Sequence, residues 1–235
     1  MQPLEIVIIG ASFAGLSSAL TVKKLNPNTK VTIIDRQETV GFIPSSINRI
    51  LKGKMSQLTE KNLITQQQLE DAGIELLLGQ EVQSIDSNQK QVILDKNTRI
   101  PYNKLILAMG SVQTSERIEG ADDPAVLTTK TLTESRHSQH ALEEADHILI
   151  VGGGQVGLEA ADAYTTRGKQ VTIVESFDEL AFKSFDSEMI TELEKRMTAQ
   201  GVRIYKNQQA ESIQANENNL ITLTSQNLEL ISDCV

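Results

Sequence analysis

The chain has 235 residues, 39% of them hydrophobic, and a formal net charge of −9. That length and apolar content suffice for a sizeable buried core, while the acidic balance opposes the phosphate backbone of a nucleic acid. A single cysteine, Cys234, excludes an internal disulfide framework and a cysteine-cluster metal site.

The first predicted strand, "IVIIG" from Ile6, runs into a turn carrying Gly10, Ser12 and Gly15 and then a helix of small residues. A second strand, "VTIID", ends on Asp35. The segment "GFIPSSINRILKGK", Gly41 to Lys54, follows and is written only once. After it come a helix closed by Gly73 in "LEDAGIEL", alternating strands in "QEVQSIDSNQKQVIL", and the apolar strand "KLILAMG" at 104–110. The helix that includes His137 and His140 reads as a solvated surface, because that HxxH pair has no second ligand pair nearby. "ILIVGGGQVGLEAA" from Ile148 then repeats "IVIIGASFAGLSSA" from Ile6, an offset of 142 residues. "VTIVE", ending at Glu175, repeats "VTIID" at an offset of 140, and "MTAQGVRI" at 197–204 repeats "LEDAGIEL" at 128. The fall from 140 to 128 means that the first copy has gained 12 residues, and the unrepeated segment accounts for them. "QQAESIQANENNLITL" closes the second copy as a further meander, and "ELISDCV" reads as the start of another strand.

The pattern predicts an α/β fold of two Rossmann-like, three-layer dinucleotide-binding domains, each with a β-meander, at 1–112 and 113–235. In the second copy Gly152, Gly154 and Gly157 have the G-x-G-x-x-G spacing between a strand and a helix. That spacing serves a tight turn, a close approach to pyrophosphate and close helix packing. Glu175 closes the next strand, where a carboxylate can accept from ribose hydroxyls, and the residues after it include no arginine for a 2′-phosphate; NAD is favoured over NADP. Asp35 takes the same place in the first copy, whose middle position is Ser12. Two dinucleotide folds in one chain suggest a flavin and a nicotinamide exchanging a hydride.

These motifs, with "FIPSSI", "LKGK" and "YNKLILAMG", resemble the FAD-dependent pyridine nucleotide-disulfide oxidoreductases, and among them the NADH oxidase, NADH peroxidase and coenzyme A-disulfide reductase group. The resemblance implies an FAD site drawn from Gly10, Ser12, Phe13, Ala14, Gly15, Asp35, Arg36, Ser45, Val82, Ala108 and Gly110. It implies an NAD site drawn from Gly152, Gly154, Gln155, Val156, Gly157, Glu159 and Glu175, and no metal. The redox cysteine of that family falls at Ser45 and its histidine at Phe13, so neither polar member of a peroxide-handling pair is present. Ser45 and Ser46 are equally well read as caps of the helix "INRILKG". The unrepeated segment is expected to form a helix and wall covering the flavin.

The expected activity is an NADH-dependent flavoprotein oxidoreductase that passes electrons directly to oxygen or another small acceptor without a cysteine relay. The alternative is a non-catalytic nucleotide-binding fragment or redox-sensing module. A dehydrogenase with one nicotinamide and a substrate domain would leave the first copy unexplained. No apolar run reaches the roughly 18 residues of a bilayer span, and "MQPLEIVIIG" lacks the marks of a signal peptide. A cytoplasmic chain is expected, shortened relative to the family, without the returning FAD segment and the C-terminal domain through which full-length relatives dimerise.

Overall fold

The computed structural model describes residues 3–112, 117–181, 184–216, 220–226 and 228–235. Residues 113–116, the expected start of the second domain, and part of the Asn-rich turn of the second meander lie outside these. The contact pattern separates two compact units, Met1–Ile43 with Lys61–Val112, and Pro44–Glu60 with Gln113–Val235. In chain order the first half contains β1 (Glu5–Ile9), α1 (Phe13–Leu25), β2 (Lys30–Asp35), α2 (Ser46–Leu51), α3 (Gln66–Asp71), β3 (Ile74–Leu78), β4 (Ser84–Asp86), β5 (Gln91–Ile93), β6 (Arg99–Pro101) and β7 (Lys104–Leu107). The second half contains α4 (Leu132–Glu144), β8 (His147–Val151), α5 (Gln155–Thr166), β9 (Gln170–Val174), α6 (Ser187–Ala199), β10 (Arg203–Tyr205), β11 (Ala210–Ala215), β12 (Ile221–Ser225) and β13 (Leu228–Ser232).

In the first unit the parallel sheet runs in the order β3-β2-β1-β7. Side chains of a strand alternate between faces, so an apolar strand buried on both sides needs a layer on each. Ile6, Ile8, Val31 and Ile33 pack with Leu16 and Ala19 of α1 and Leu69 of α3. Their neighbours Val7, Ile9 and Ile34 pack with Val92 and Leu94 of the antiparallel β4-β5-β6 meander. Helices, sheet and meander thus form the three layers. Lys23, in the last turn of α1, donates to the carbonyls of Pro27 and Thr29 and places a cation at the helix C-terminus.

The second unit repeats the parallel core as β10-β9-β8 and the meander as β11-β12-β13. Ile148, Leu149, Val171, Ile173, Ile221 and Leu223 supply its buried strand residues. Cys234 forms a parallel bridge to Ile148, and Thr131 and Glu134 cap α4 reciprocally.

The unrepeated segment contains a helix, as expected, but it does not fold with the first-copy residues on either side of it. Residues 44–60 belong to the second compact unit. There α2 packs on α5 and α4, burying Ile47, Ile50 and Leu51. It finds its apolar partners on the helices of the second copy.

Candidate functional site

Each copy brings its glycine turn to the carboxyl ends of its central strands. Gly10 leaves β1 at φ 112°, and a Cβ there would stand 2.2 Å from the carbonyl oxygen of Ala108, just past β7. Side chains rarely adopt that backbone region, and none would fit the space. Gly15 packs α1 against the turn: its Cβ would be 1.8 Å from the Gly10 carbonyl oxygen. Gly157 repeats the contact against Gly152 at 2.0 Å. The middle position differs in kind. Gly154 has open space where a Cβ would go, and Ser12 occupies the equivalent place in the first copy. Both start their helices in an extended conformation without a side-chain cap, so neither occupies the first-turn amide groups that a helix leaves unpaired. These two helix starts have the room and the donors to receive a pyrophosphate.

The acids at the strand ends act first on the protein's own backbone. Asp35 accepts from the Ala11 amide at 2.6 Å and the Gln37 amide at 2.8 Å. Glu175 accepts from the Gly153 amide at 2.7 Å, the Phe177 amide at 2.9 Å and the Ser176 hydroxyl at 3.0 Å. Glu175 is buried and Asp35 half-buried. A carboxylate that accepts amide hydrogen bonds in this way is oriented before any ligand arrives, with lone pairs left over for ribose hydroxyls.

A second bond completes this frame, and the sequence reading missed it. The Gly41 amide donates to the Ala11 carbonyl at 3.0 Å, and the Ala181 amide donates to the Gly153 carbonyl at 2.8 Å. Gly41 and Ala181 are separated by the same 140 residues as Asp35 and Glu175, and both are left-handed, at φ 67° and 50°. The chain after each acid therefore folds back over the glycine turn and holds it from above. Gly153 is fixed as well: a Cβ would meet Leu180 at 2.4 Å and the Glu175 carboxylate at 3.3 Å. The match at Gly41 and Ala181 extends the repeat by one residue into the segment that begins at Gly41. The signal was available as a left-handed position at a constant offset, but alanine in the second copy concealed it.

Of the residues expected for the first site, Gly10, Ser12, Gly15, Asp35 and Ala108 lie together in this frame. Phe13 and Ala14 open α1 and are exposed, as is Arg36 just past β2. Gly110 lies beyond β7 at φ 73°, and Val82 packs in the cluster between sheet and meander. Ser45 belongs to the other compact unit, as the N-cap residue of α2, and its hydroxyl makes no cap hydrogen bond. In the second copy Gly152, Gly154, Gly157 and Glu175 form the frame, and Gln155, Val156 and Glu159 are exposed on the first turns of α5.

A cleft of about 750 Å³ in the second unit lies elsewhere, at the amino end of β8, lined in part by His137, His140, Glu144, Asp146, Asp233 and Cys234. Burial, with the Asp233 charge, pushes the Cys234 thiol up to about 12, so it is not a nucleophile near neutral pH. The glycine turns, by contrast, combine oriented acids with unfilled helix starts. Among the described residues no group of three or more His, Cys, Asp or Glu side chains is placed to hold a metal ion, and no helix is long and apolar enough to cross a membrane.

The pyridine nucleotide-disulphide oxidoreductase family matches residues 4–235. The chain is 24% identical over 220 residues to an NADH oxidase of Enterococcus faecalis, covering 91% of this chain and 49% of that protein. It is 29% identical over 195 residues to a CoA-dependent NAD(P)H sulfur oxidoreductase of Pyrococcus abyssi, covering 82% and 44%. Among solved structures, a water-forming NADH oxidase from Lactobacillus brevis bound to NADH superposes with a TM-score of 0.92 at 24% identity, over 98% of this chain and 52% of that one. A pyridine nucleotide-disulfide family oxidoreductase from Enterococcus faecalis gives 0.80 at 31% identity, over 98% and 50%. The chain spans about half the length of the relatives it matches.

Proposed function

The chain belongs to the pyridine nucleotide-disulphide oxidoreductase family, and from that premise we propose that it is the dinucleotide-binding part of an NADH-dependent FAD flavoprotein oxidoreductase. Residues 1–112 serve as the FAD-binding domain and 113–235 as the NAD-binding domain, with residues 44–60 grouped with the second. The observation that supports this reading is the duplicated frame: two glycine turns, each with a carboxylate bonded to its backbone and an uncapped helix start.

When bound, the nicotinamide supplies a hydride and the flavin accepts it and passes electrons on. The protein's part is binding and orientation. The amides at the starts of α1 and α5 receive the pyrophosphates, Asp35 and Glu175 receive the ribose hydroxyls, and Gly154 keeps its space clear for the phosphate. Ser45 stands where the family carries a redox cysteine and Phe13 where it carries histidine. A serine hydroxyl cannot form the sulfenic acid or disulfide that would accept electrons from reduced flavin, so we propose direct transfer from flavin to oxygen or another small acceptor. The single, buried cysteine suits a reducing compartment, and we propose the cytoplasm.

A binding module without turnover is the second reading, favoured by those same two substitutions. Calorimetric titration separates the sites: Glu175→Gln should weaken NADH binding about tenfold with FAD binding unchanged, and Asp35→Asn should do the reverse. Failure of the unmodified chain to bind either dinucleotide would exclude both readings.

A further inference from the structure

The unrepeated segment is written in the first copy but held by the second. With six residues, α2 is shorter than two turns and far below the length at which a helix sustains itself, so its position depends on what it docks against. Ile47, Ile50 and Leu51 supply the apolar part of that docking, and Met55 and Leu58, further along the segment, are also buried. The polar part comes from one helix. Arg167, the C-cap residue of α5, donates through Nε to the Leu51 carbonyl and through Nη2 to the Ile50 carbonyl at 3.3 Å. The Ile50 carbonyl also accepts from the Gly53 amide at 2.8 Å, so the guanidinium joins the turn that closes α2 and reaches two of its last carbonyls at once. One turn back on α5, Asp162 pairs with Lys52, whose side chain is only 19% exposed. Past the C-cap residue Lys52, Gly53 turns the chain at φ 67°. The second copy has no equivalent, since only residues 182–186 separate Ala181 from α6.

We propose that Arg167 and Lys52 are positioning residues. They seat the insertion on α5, the helix that begins at the second glycine turn, and thereby fix Ser45, the residue that opens α2. The residue at the family's redox-cysteine position is thus held by the second compact unit. This deepens the proposed function and rests on it for the significance of the Ser45 position, but the docking itself is testable without any cofactor.

Ser45→Cys supplies the reporter. The native cysteine is buried, with its thiol pushed up to about 12, so a water-soluble disulfide reagent reads the new thiol alone. The modification rate is measured in this background alone and with Arg167→Ala, Arg167→Lys or Asp162→Asn added. The expected result is roughly tenfold faster modification with Arg167→Ala. Arg167→Lys, which reaches one carbonyl rather than two, gives an intermediate rate, and Asp162→Asn a smaller acceleration through Lys52. NADH affinity, titrated on the same proteins, stays at the value of the Ser45→Cys background, because the second glycine turn is untouched. Equal modification rates in all four proteins would overturn the proposal. So would acceleration that comes only with loss of NADH binding, which would mark Arg167 as a support of α5 as a whole. If the unmodified chain binds no dinucleotide, the functional reading fails while the rate series still decides the docking.

Discussion

Two glycines three residues apart in the second turn should respond to the same substitution in opposite ways. At Gly157 an added methyl lands 2.0 Å from the Gly152 carbonyl oxygen and 3.2 Å from a methyl of Ile150, so α5 must move away from β8 by about 1 Å. Overpacking of that order costs about 2–3 kcal/mol, and for a chain of this size each kcal/mol lowers Tm by about 2–4 °C. Gly157→Ala should therefore melt roughly 4–12 °C below the unmodified protein. At Gly154 the same methyl meets nothing, and φ −74° with ψ −179° is open to alanine. Losing glycine at an N-cap costs some tenths of a kcal/mol, and stiffening the unfolded chain returns about 0.4–1 kcal/mol, so Tm should stay within about 2 °C. On the proposed NAD site the methyl instead occupies the space left for the pyrophosphate, and NADH affinity should fall at least about tenfold, or 1.4 kcal/mol. Differential scanning calorimetry and NADH titration on both variants give the test. A Gly154→Ala protein that melts as low as Gly157→Ala, or that binds NADH with unchanged affinity, would refute the division of labour between the glycines.

The fold-back over each turn can be tested at its left-handed residues. Ala181→Gly removes a left-handed alanine at φ 50° and should raise Tm by about 2–4 °C, whereas Gly41→Ala adds strain at φ 67° and a methyl 3.2 Å from the Leu63 and Ile64 amides and should lower Tm by more than that. His147 accounts for a pH dependence: burial, and then the Arg203 charge, hold its pKa below 6.5. A depressed histidine pKa favours folding above 6.5 and forfeits that contribution as pH falls toward the folded value, because the unfolded chain binds the proton more readily. Urea melts across this range should lose stability on acidification, and His147→Gln, which keeps a polar group near Thr172 but cannot titrate, should lose less.

The parts of the fold that follow from local pattern were legible in the sequence. The continuous apolar run "IVII", the crowding that requires Gly15 and Gly157, and the acids ending both second strands all depend on residues close in the chain, and the repeat doubles each signal. The docking of α2 on α5 was not legible. It rests on Arg167 and Asp162, more than 100 residues away, and on a six-residue helix whose apolar side chains would suit any neighbouring layer. The role of Asp35 and Glu175 was read only toward a ligand, because nothing in the spacing indicates that the chain folds back to present the Ala11 and Gly153 amides. Ser45 was read as a helix cap or the occupant of a redox position. It occupies the cap position but makes no cap hydrogen bond, since its backbone there, at φ −71° and ψ 1°, is not the extended conformation that turns a serine hydroxyl toward the helix amides.

The most direct test of two cooperating dinucleotide sites is the visible absorbance spectrum of the purified chain, supplied with FAD and freed of excess, before and after NADH is added without oxygen. Retained flavin bands that bleach on addition of NADH are the expected result. A chain that stays colourless after exposure to FAD, or flavin bands that NADH leaves unchanged, would contradict hydride transfer between the two sites.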